Sequence, residues 1–194
     1  LSITATDTPV LCGVYPNVSF RQYGGYSLRS EYCHELGLRL LIGATVFSCM
    51  RLNLGIKPLF CQVDRHYMRV YMRLLSGLKY SEACRLGLGF IEHCVICNSR
   101  YCNNSPIKFC KTCNSKTKIA GPLWIKSIFD DSYFQTDNWY YLDIDNVIEF
   151  VDGSHNDYHY MNFEDLNGSW HPDGGHTVEP PQKVSECRNI KHHH

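Results

Sequence analysis

Cys94-Val95-Ile96-Cys97 and Cys110-Lys111-Thr112-Cys113 are the residues whose type and spacing most directly imply chemistry. Each Cys-x-x-Cys turn presents two thiolates toward one point, and twelve residues separate the two turns. Zn2+ takes four soft ligands in a tetrahedron, so two such turns brought together by a hairpin close its shell. Cys94, Cys97, Cys110 and Cys113 are therefore the expected ligands of a structural zinc. A closed four-sulfur shell leaves no position for water, which gives the metal no catalytic role. Asn98 and Asn114 each follow a second Cys, and Asn tolerates the left-handed backbone that ends such turns. Lys108, Lys111, Lys116 and Lys118 offset the thiolate charge. His93 and Cys102 are spare donors, read as bystanders. A disulfide pair or plain reduced thiols are the competing readings of the same four residues.

The rest of the composition bounds what surrounds this site. Eleven Cys in 194 residues is a high count. Cys12, Cys33, Cys49, Cys61 and Cys84 sit singly in apolar contexts, as buried thiols do. An odd total with half in one cluster favours a reducing, intracellular compartment over a disulfide framework. Residues 1–128 hold 16 Lys and Arg against 6 Asp and Glu, whereas residues 129–194 hold 3 against 13. The basic front is a candidate polyanion surface; folding of the acidic tail against it is the competing reading. No apolar stretch is read as reaching the roughly 18 residues that span a bilayer, so a membrane is not an expected partner. The chain opens on Leu1 within an apolar run and is read as a fragment or truncated product. His192, His193 and His194 are set aside as a tag remnant.

The elements follow from local chemistry. Leu1–Thr6 alternates β-branched residues and reads as a strand, broken by Thr8-Pro9. Residues 10–26, with Gly13, Pro16 and Gly24-Gly25, read as loop. Ser27 is an expected N-cap for a helix from Leu28 to about Leu54, closed by Gly55. Residues 56–63 and 66–74 read as an antiparallel strand pair. Arg69 and Arg73 fall on one face of the second strand; Met68, Val70 and Met72 fall on the other. Ser81 is expected to cap a short helix through Leu86. Residues 117–120 read as a short strand that Gly121-Pro122 turns. Residues 129–194 carry only weak signals.

Several blocks, in one order, carry a family likeness. They are Thr4-Ala5-Thr6-Asp7, Leu11-Cys12-Gly13, Tyr23-Gly24, and His34-Glu35-Leu36-Gly37-Leu38-Arg39. Then come His66-Tyr67-Met68-Arg69-Val70-Tyr71, the two Cys-x-x-Cys pairs, and Lys118-Ile119-Ala120-Gly121-Pro122-Leu123-Trp124. Together they resemble the tRNA N2,N2-dimethylguanosine methyltransferases, over residues 1 to about 130. Trp170–Thr177 is faintly similar to a further segment in which the family carries a Lys where this chain has His176.

The resemblance implies an α/β architecture. Residues 1–75 would be the closing strands and helix of a Rossmann-like methyltransferase sheet, with Leu1–Thr6 set beside the strand pair. Residues 76–191 would be an α+β, tRNA-binding domain with a zinc ribbon at 94–113. It further implies methyl transfer from S-adenosylmethionine to the N2 of a tRNA guanosine, at position 26 in the family's usual substrate. The family's cofactor loop and Asp-Pro-Phe-Gly motif have no counterpart here, and Gly24-Gly25 lacks the strand-to-helix context of a substitute. The chain alone is thus expected to bind tRNA, not DNA, and to be inactive.

Three kinds of residue are candidates for the chemistry. Asp7 lies just past the carboxyl end of its strand, where open α/β sheets place ligands, and is an expected edge of the base pocket. An Asp that bonds its own turn is the plainer reading. Tyr23 is read as packing and His34 as structural, with Glu35 paired to Arg39 at four-residue spacing. Arg21, Arg29, Arg65, Arg69, Arg73, Lys108, Lys111, Lys116, Lys118 and Lys126 are the candidate phosphate contacts. The alternative for the whole chain is a stand-alone zinc-ribbon module that binds RNA or protein without catalysis.

Overall fold

Alternation of apolar and polar residues builds the first sheet, as the sequence predicts. β1 (Ser2–Ala5), β2 (Leu54–Val63) and β3 (Met68–Ser76) form one three-stranded sheet in the order β1-β3-β2. The computed structural model describes residues 1–64 and 66–130. β3 is antiparallel to both neighbours, with Ser2 opposite Tyr71 and Val63 opposite Met68. β1 and β2 therefore run the same way with β3 inserted between them. Met68, Val70 and Met72 are buried on one face, while Arg69 is half-buried and Arg73 exposed on the other. Pro58 sits mid-strand. It is tolerated because β2 is an edge strand whose register shifts between Pro58 and Phe60.

The connection from β1 to β2 departs from expectation. Residues 10–26 are not loop throughout: α1 (Thr8–Leu11) and α2 (Pro16–Tyr23) lie there. Pro9 and Pro16 occupy first-turn positions, where the missing N–H costs nothing. Gly24 ends α2 in the left-handed conformation, its N–H on the Phe20 carbonyl at 2.9 Å. Gly25 allows a close approach, since a Cβ there would lie 2.3 Å from the Pro122 carbonyl oxygen.

α3 (Cys33–Met50) starts later and ends earlier than predicted. Ser27 is not its cap; the Ser27 hydroxyl donates to the Leu11 carbonyl. Asn53, with φ of 55°, turns the chain out of the helix, and Leu54 and Gly55 already belong to β2. By length and composition this 18-residue helix is apolar enough to cross a membrane, contrary to the reading of the sequence. Here it is a core helix: Leu36, Leu38, Leu40 and Ile42 are fully buried. Each such side chain contributes about 1.5–3 kcal/mol on leaving water.

α3 is apolar all round because it packs on both sheets. The second sheet has the order β5-β4-β6 from β4 (Leu88–His93), β5 (Arg100–Asn103) and β6 (Lys118–Trp124). α4 (Leu78–Arg85) bridges from β3 to it, and Ser81 lies buried inside that helix rather than capping it. Gly121-Pro122 does not turn the chain. The peptide is cis and β6 runs on through it to Trp124. Arg39 fixes the helix to this strand. Its Nε donates to Glu35 at 2.8 Å, and its Nη1 donates to the Trp124 and Lys126 carbonyls at 3.2 and 2.8 Å. One continuous core, from Ala5 and Leu11 through Leu40 to Leu123 and Ile128, serves both sheets.

Candidate metal centre and its neighbours

The second sheet brings the two Cys-x-x-Cys turns together. Cys94 follows β4 directly, and the second turn lies on the excursion between β5 and β6. Both turns are built alike. Asn98 donates to the Cys94 carbonyl at 2.8 Å, and Asn114 donates to the Cys110 carbonyl at 2.9 Å. Asn98 and Asn114 have φ of 59° and 57°, the left-handed backbone expected of them. Cys94 and Cys110 donate their N–H groups to the Ser99 and Ser115 carbonyls at 2.9 and 2.8 Å.

The four sulfurs converge. Cys94 and Cys113 Sγ are 3.5 Å apart, as are Cys97 and Cys110 Sγ, and all four lie within 4.8 Å of one another. A tetrahedral ZnS4 centre with the usual Zn–S bond needs sulfurs about 3.8 Å apart. Four soft donors converging at this spacing suit that ion. Cys94 and Cys110 are buried, Cys97 and Cys113 exposed, so one side of the centre faces solvent. The N–H of Cys113 lowers the Cys110 thiol to about 6. Cys113 is also lowered, first by Ser115. The Cys97 N–H works to lower Cys94, but burial and the neighbouring thiols lift it to about 11. All ten described cysteines are free thiols.

Glu92 supports the centre from beneath, which the sequence reading missed. It is 1% exposed. Its Oε2 accepts from Asn103 Nδ2 at 2.5 Å and its Oε1 from the Ile107 N–H at 2.6 Å. Those bonds fix the segment that leads into the second turn. His93 bonds Tyr32 at 2.8 Å and Cys102 lies on β5; neither belongs to the four-sulfur group.

The basic candidates fall in separate places. Lys108, Lys111, Lys116 and Lys118 are exposed on and beside the second turn, with Lys111 over the Tyr101 ring at 5.2 Å. Arg69 and Arg73 project from β3, and Arg69 donates to Thr4 at 2.7 Å and stacks on Tyr67. Arg29 and Lys126 are exposed, Arg65 lies outside the described residues, and so do Trp170–Thr177 and the acidic tail from residue 131 on. Arg21 lines an open crevice of about 400 Å3 between α2 and α3 with Tyr23, Phe47, Ser48 and Arg51. Arg51 was not singled out in the sequence; only the fold brings it opposite Arg21.

Asp7 sits at the start of α1, immediately past β1, with its backbone carbonyl accepting from Val10 and Leu11. Its side chain does not cap that helix. Instead Tyr23 donates to Asp7 Oδ1 at 2.5 Å. Burial, then this bond, raises the Tyr23 hydroxyl above its ordinary range. Two residues considered separately in the sequence thus form one unit. Cys12 and Cys33 also prove to be neighbours rather than isolated thiols, and His34 joins them within 4.8 Å.

Residues 1–138 match the family described as N2,N2-dimethylguanosine tRNA methyltransferase. The chain belongs to this family. It is 40% identical over 133 residues to the tRNA (guanine(26)-N(2))-dimethyltransferase of Methanosarcina acetivorans, covering 64% of this chain and 33% of the relative. It is 33% identical over 136 residues to the tRNA (guanine(26)-N(2)/guanine(27)-N(2))-dimethyltransferase of Aquifex aeolicus, covering 69% and 35%. A solved structure of Trm1 from Pyrococcus horikoshii with S-adenosyl-L-methionine aligns with a TM-score of 0.60 at 28% identity, covering 69% of this chain and 34% of that one. This N2,N2-dimethylguanosine tRNA methyltransferase family member thus shares a mixed α/β fold with Trm1. It spans about a third of the length of the curated relatives it matches.

Proposed function

We propose that this chain acts in dimethylation of the N2 of guanosine 26 in tRNA, with S-adenosylmethionine as methyl donor. Residues 1–75 supply the closing strands of a Rossmann-like methyltransferase sheet. Residues 76–191 supply a tRNA-binding domain stapled by a zinc ribbon. The observation that carries the reading is the strand order β1-β3-β2, with an antiparallel strand inserted between two that run together, fused through α3 to the four-sulfur cluster. Among the described residues the other edge of β1 pairs with no strand, which leaves it open to extension of the sheet. A stand-alone ribbon module leaves the whole of that first sheet without a purpose.

In this reading the zinc holds the ribbon's shape and takes no part in methyl transfer. S-adenosylmethionine supplies an electrophilic methyl group when bound. The exocyclic amine of guanine is a weak nucleophile, so an acceptor held against its N–H groups aids alignment. Asp7 lies at the carboxyl end of β1, where such sheets place ligands, and Tyr23 fixes the direction of its carboxylate. Arg21, Arg29, Arg69, Arg73, Lys126 and the ribbon lysines bind phosphates, with Arg65 assigned the same task. That work places the protein inside the cell.

Two measurements test this. The chain alone should bind tRNA with an affinity that falls steeply with salt, because phosphate contacts release counterions. It should show no methyl transfer. Grafted in place of the matching third of the Methanosarcina acetivorans enzyme, it should support formation of N2,N2-dimethylguanosine at position 26. Salt-insensitive tRNA affinity, or turnover by the chain alone, defeats the assignment as divided here.

A further inference from the structure

Cys12 closes α1, Cys33 opens α3, and His34 follows it. Cys12 is far in sequence from the adjacent Cys33 and His34, yet the three ligand atoms lie within 4.8 Å of one another. Both cysteines are half-buried and free, and His34 is exposed. We propose that Cys12, Cys33 and His34 form a second metal site, for a thiophilic divalent cation of the Zn2+ type, distinct from the four-cysteine centre.

The chemistry of the donor set favours this ion. Two thiolates and one imidazole are three of the four ligands that zinc takes, with bonds of about 2.3 Å to sulfur and about 2.0 Å to nitrogen. Ligand atoms around such an ion lie about 3.5–3.8 Å apart. Closing the present spacing to that value asks for side-chain shifts on the order of 1 Å. Two thiolates neutralise the dication, so the half-buried site holds no net charge. Cys33 stands at the first residue of α3, where the free N–H groups and helix dipole favour a thiolate. On binding, the cation displaces two thiol protons to solvent, and no oxidant or reductant is needed. His34 faces water, which leaves the fourth position for a water molecule.

The site has a structural consequence. α1 lies directly between Asp7 and Cys12. A cation on Cys12 and Cys33 ties the turn that carries Asp7 to the start of α3. The Ser27 hydroxyl, on the Leu11 carbonyl, holds the same turn.

The test is metal stoichiometry, which does not depend on methyl transfer. The chain is purified anaerobically with His192, His193 and His194 each changed to Ala, loaded with Zn2+ and freed of excess by gel filtration. Elemental analysis should give two zinc ions per chain. Cys12→Ser with Cys33→Ser should give one. His34→Ala is at an exposed position that leaves the fold intact. It should lower affinity for the second ion at least tenfold in competition with a chelating dye. One ion in the parent chain overturns the proposal, as does unchanged affinity in His34→Ala. A Cys12–Cys33 disulfide surviving in the loaded protein, detected as two thiols released by dithiothreitol, overturns it too.

Discussion

The two sheets flanking α3 are held by different means. In the first, strands of nine and ten residues bury Met68, Val70, Met72 and Val63 against the helix. In the second, β5 has four residues, none fully buried, and the segment after it is shaped by turns, by Glu92 and by four converging sulfurs. Long strands bring enough apolar surface to hold themselves. β5, with four half-buried residues, does not, and a cation that crosslinked the two turns would supply what hydrophobic burial lacks there. The contrast also separates two kinds of failure. Loss of packing should spread through the shared core, whereas loss of metal should stay local.

Metal removal should break the comparison most sharply. Chelation, or Cys110→Ser, is expected to unfold residues 94–117 while α3 keeps its amide protection. Trypsin cleavage after Lys108, Lys111 and Lys116 should quicken roughly a hundredfold, read by mass spectrometry against hydrogen exchange in α3. Next in size is Arg39→Ala, which removes the buried Arg39–Glu35 ion pair and frees the Trp124 and Lys126 carbonyls. A cost of about 4 kcal/mol in urea unfolding is expected, felt in both sheets at once. Leu40→Ala opens a cavity in the same core and should cost about 3 kcal/mol without releasing metal. An equal loss of zinc in that variant would erase the distinction between the sheets. The smallest effect belongs to Asn98→Ala, at about 1 kcal/mol, because Ala resists the left-handed turn; Asn98→Gly should be close to neutral.

How far the sequence revealed this depended on where each signal lay. The Cys-x-x-Cys turns and their Asn residues were readable because ligands and turn share a few consecutive positions. The strand pair was readable for the same reason, with Arg69 and Met68 alternating across one pleat. Cys12 and Cys33 were not, since twenty residues of chain separate them and only the packing of α1 on α3 joins them. β4 was hidden by Gly87 and Gly89, whose small size lets Trp124 and Asn103 approach but weakens the strand signal. The helix boundary was misplaced because Ser27 spends its hydroxyl on Leu11, a partner sixteen residues away. The α1 and α2 prolines looked like breakers and instead open helices.

α3 belongs equally to both halves of the described structure. Gly43 lets the β6 backbone come so near that a Cβ there would lie 3.1 Å from Leu123 Cα, and Arg39 clamps the same strand. β3 and β6 therefore pack on one helix, and an extended ligand that touched both strands would meet them at a separation set by that packing.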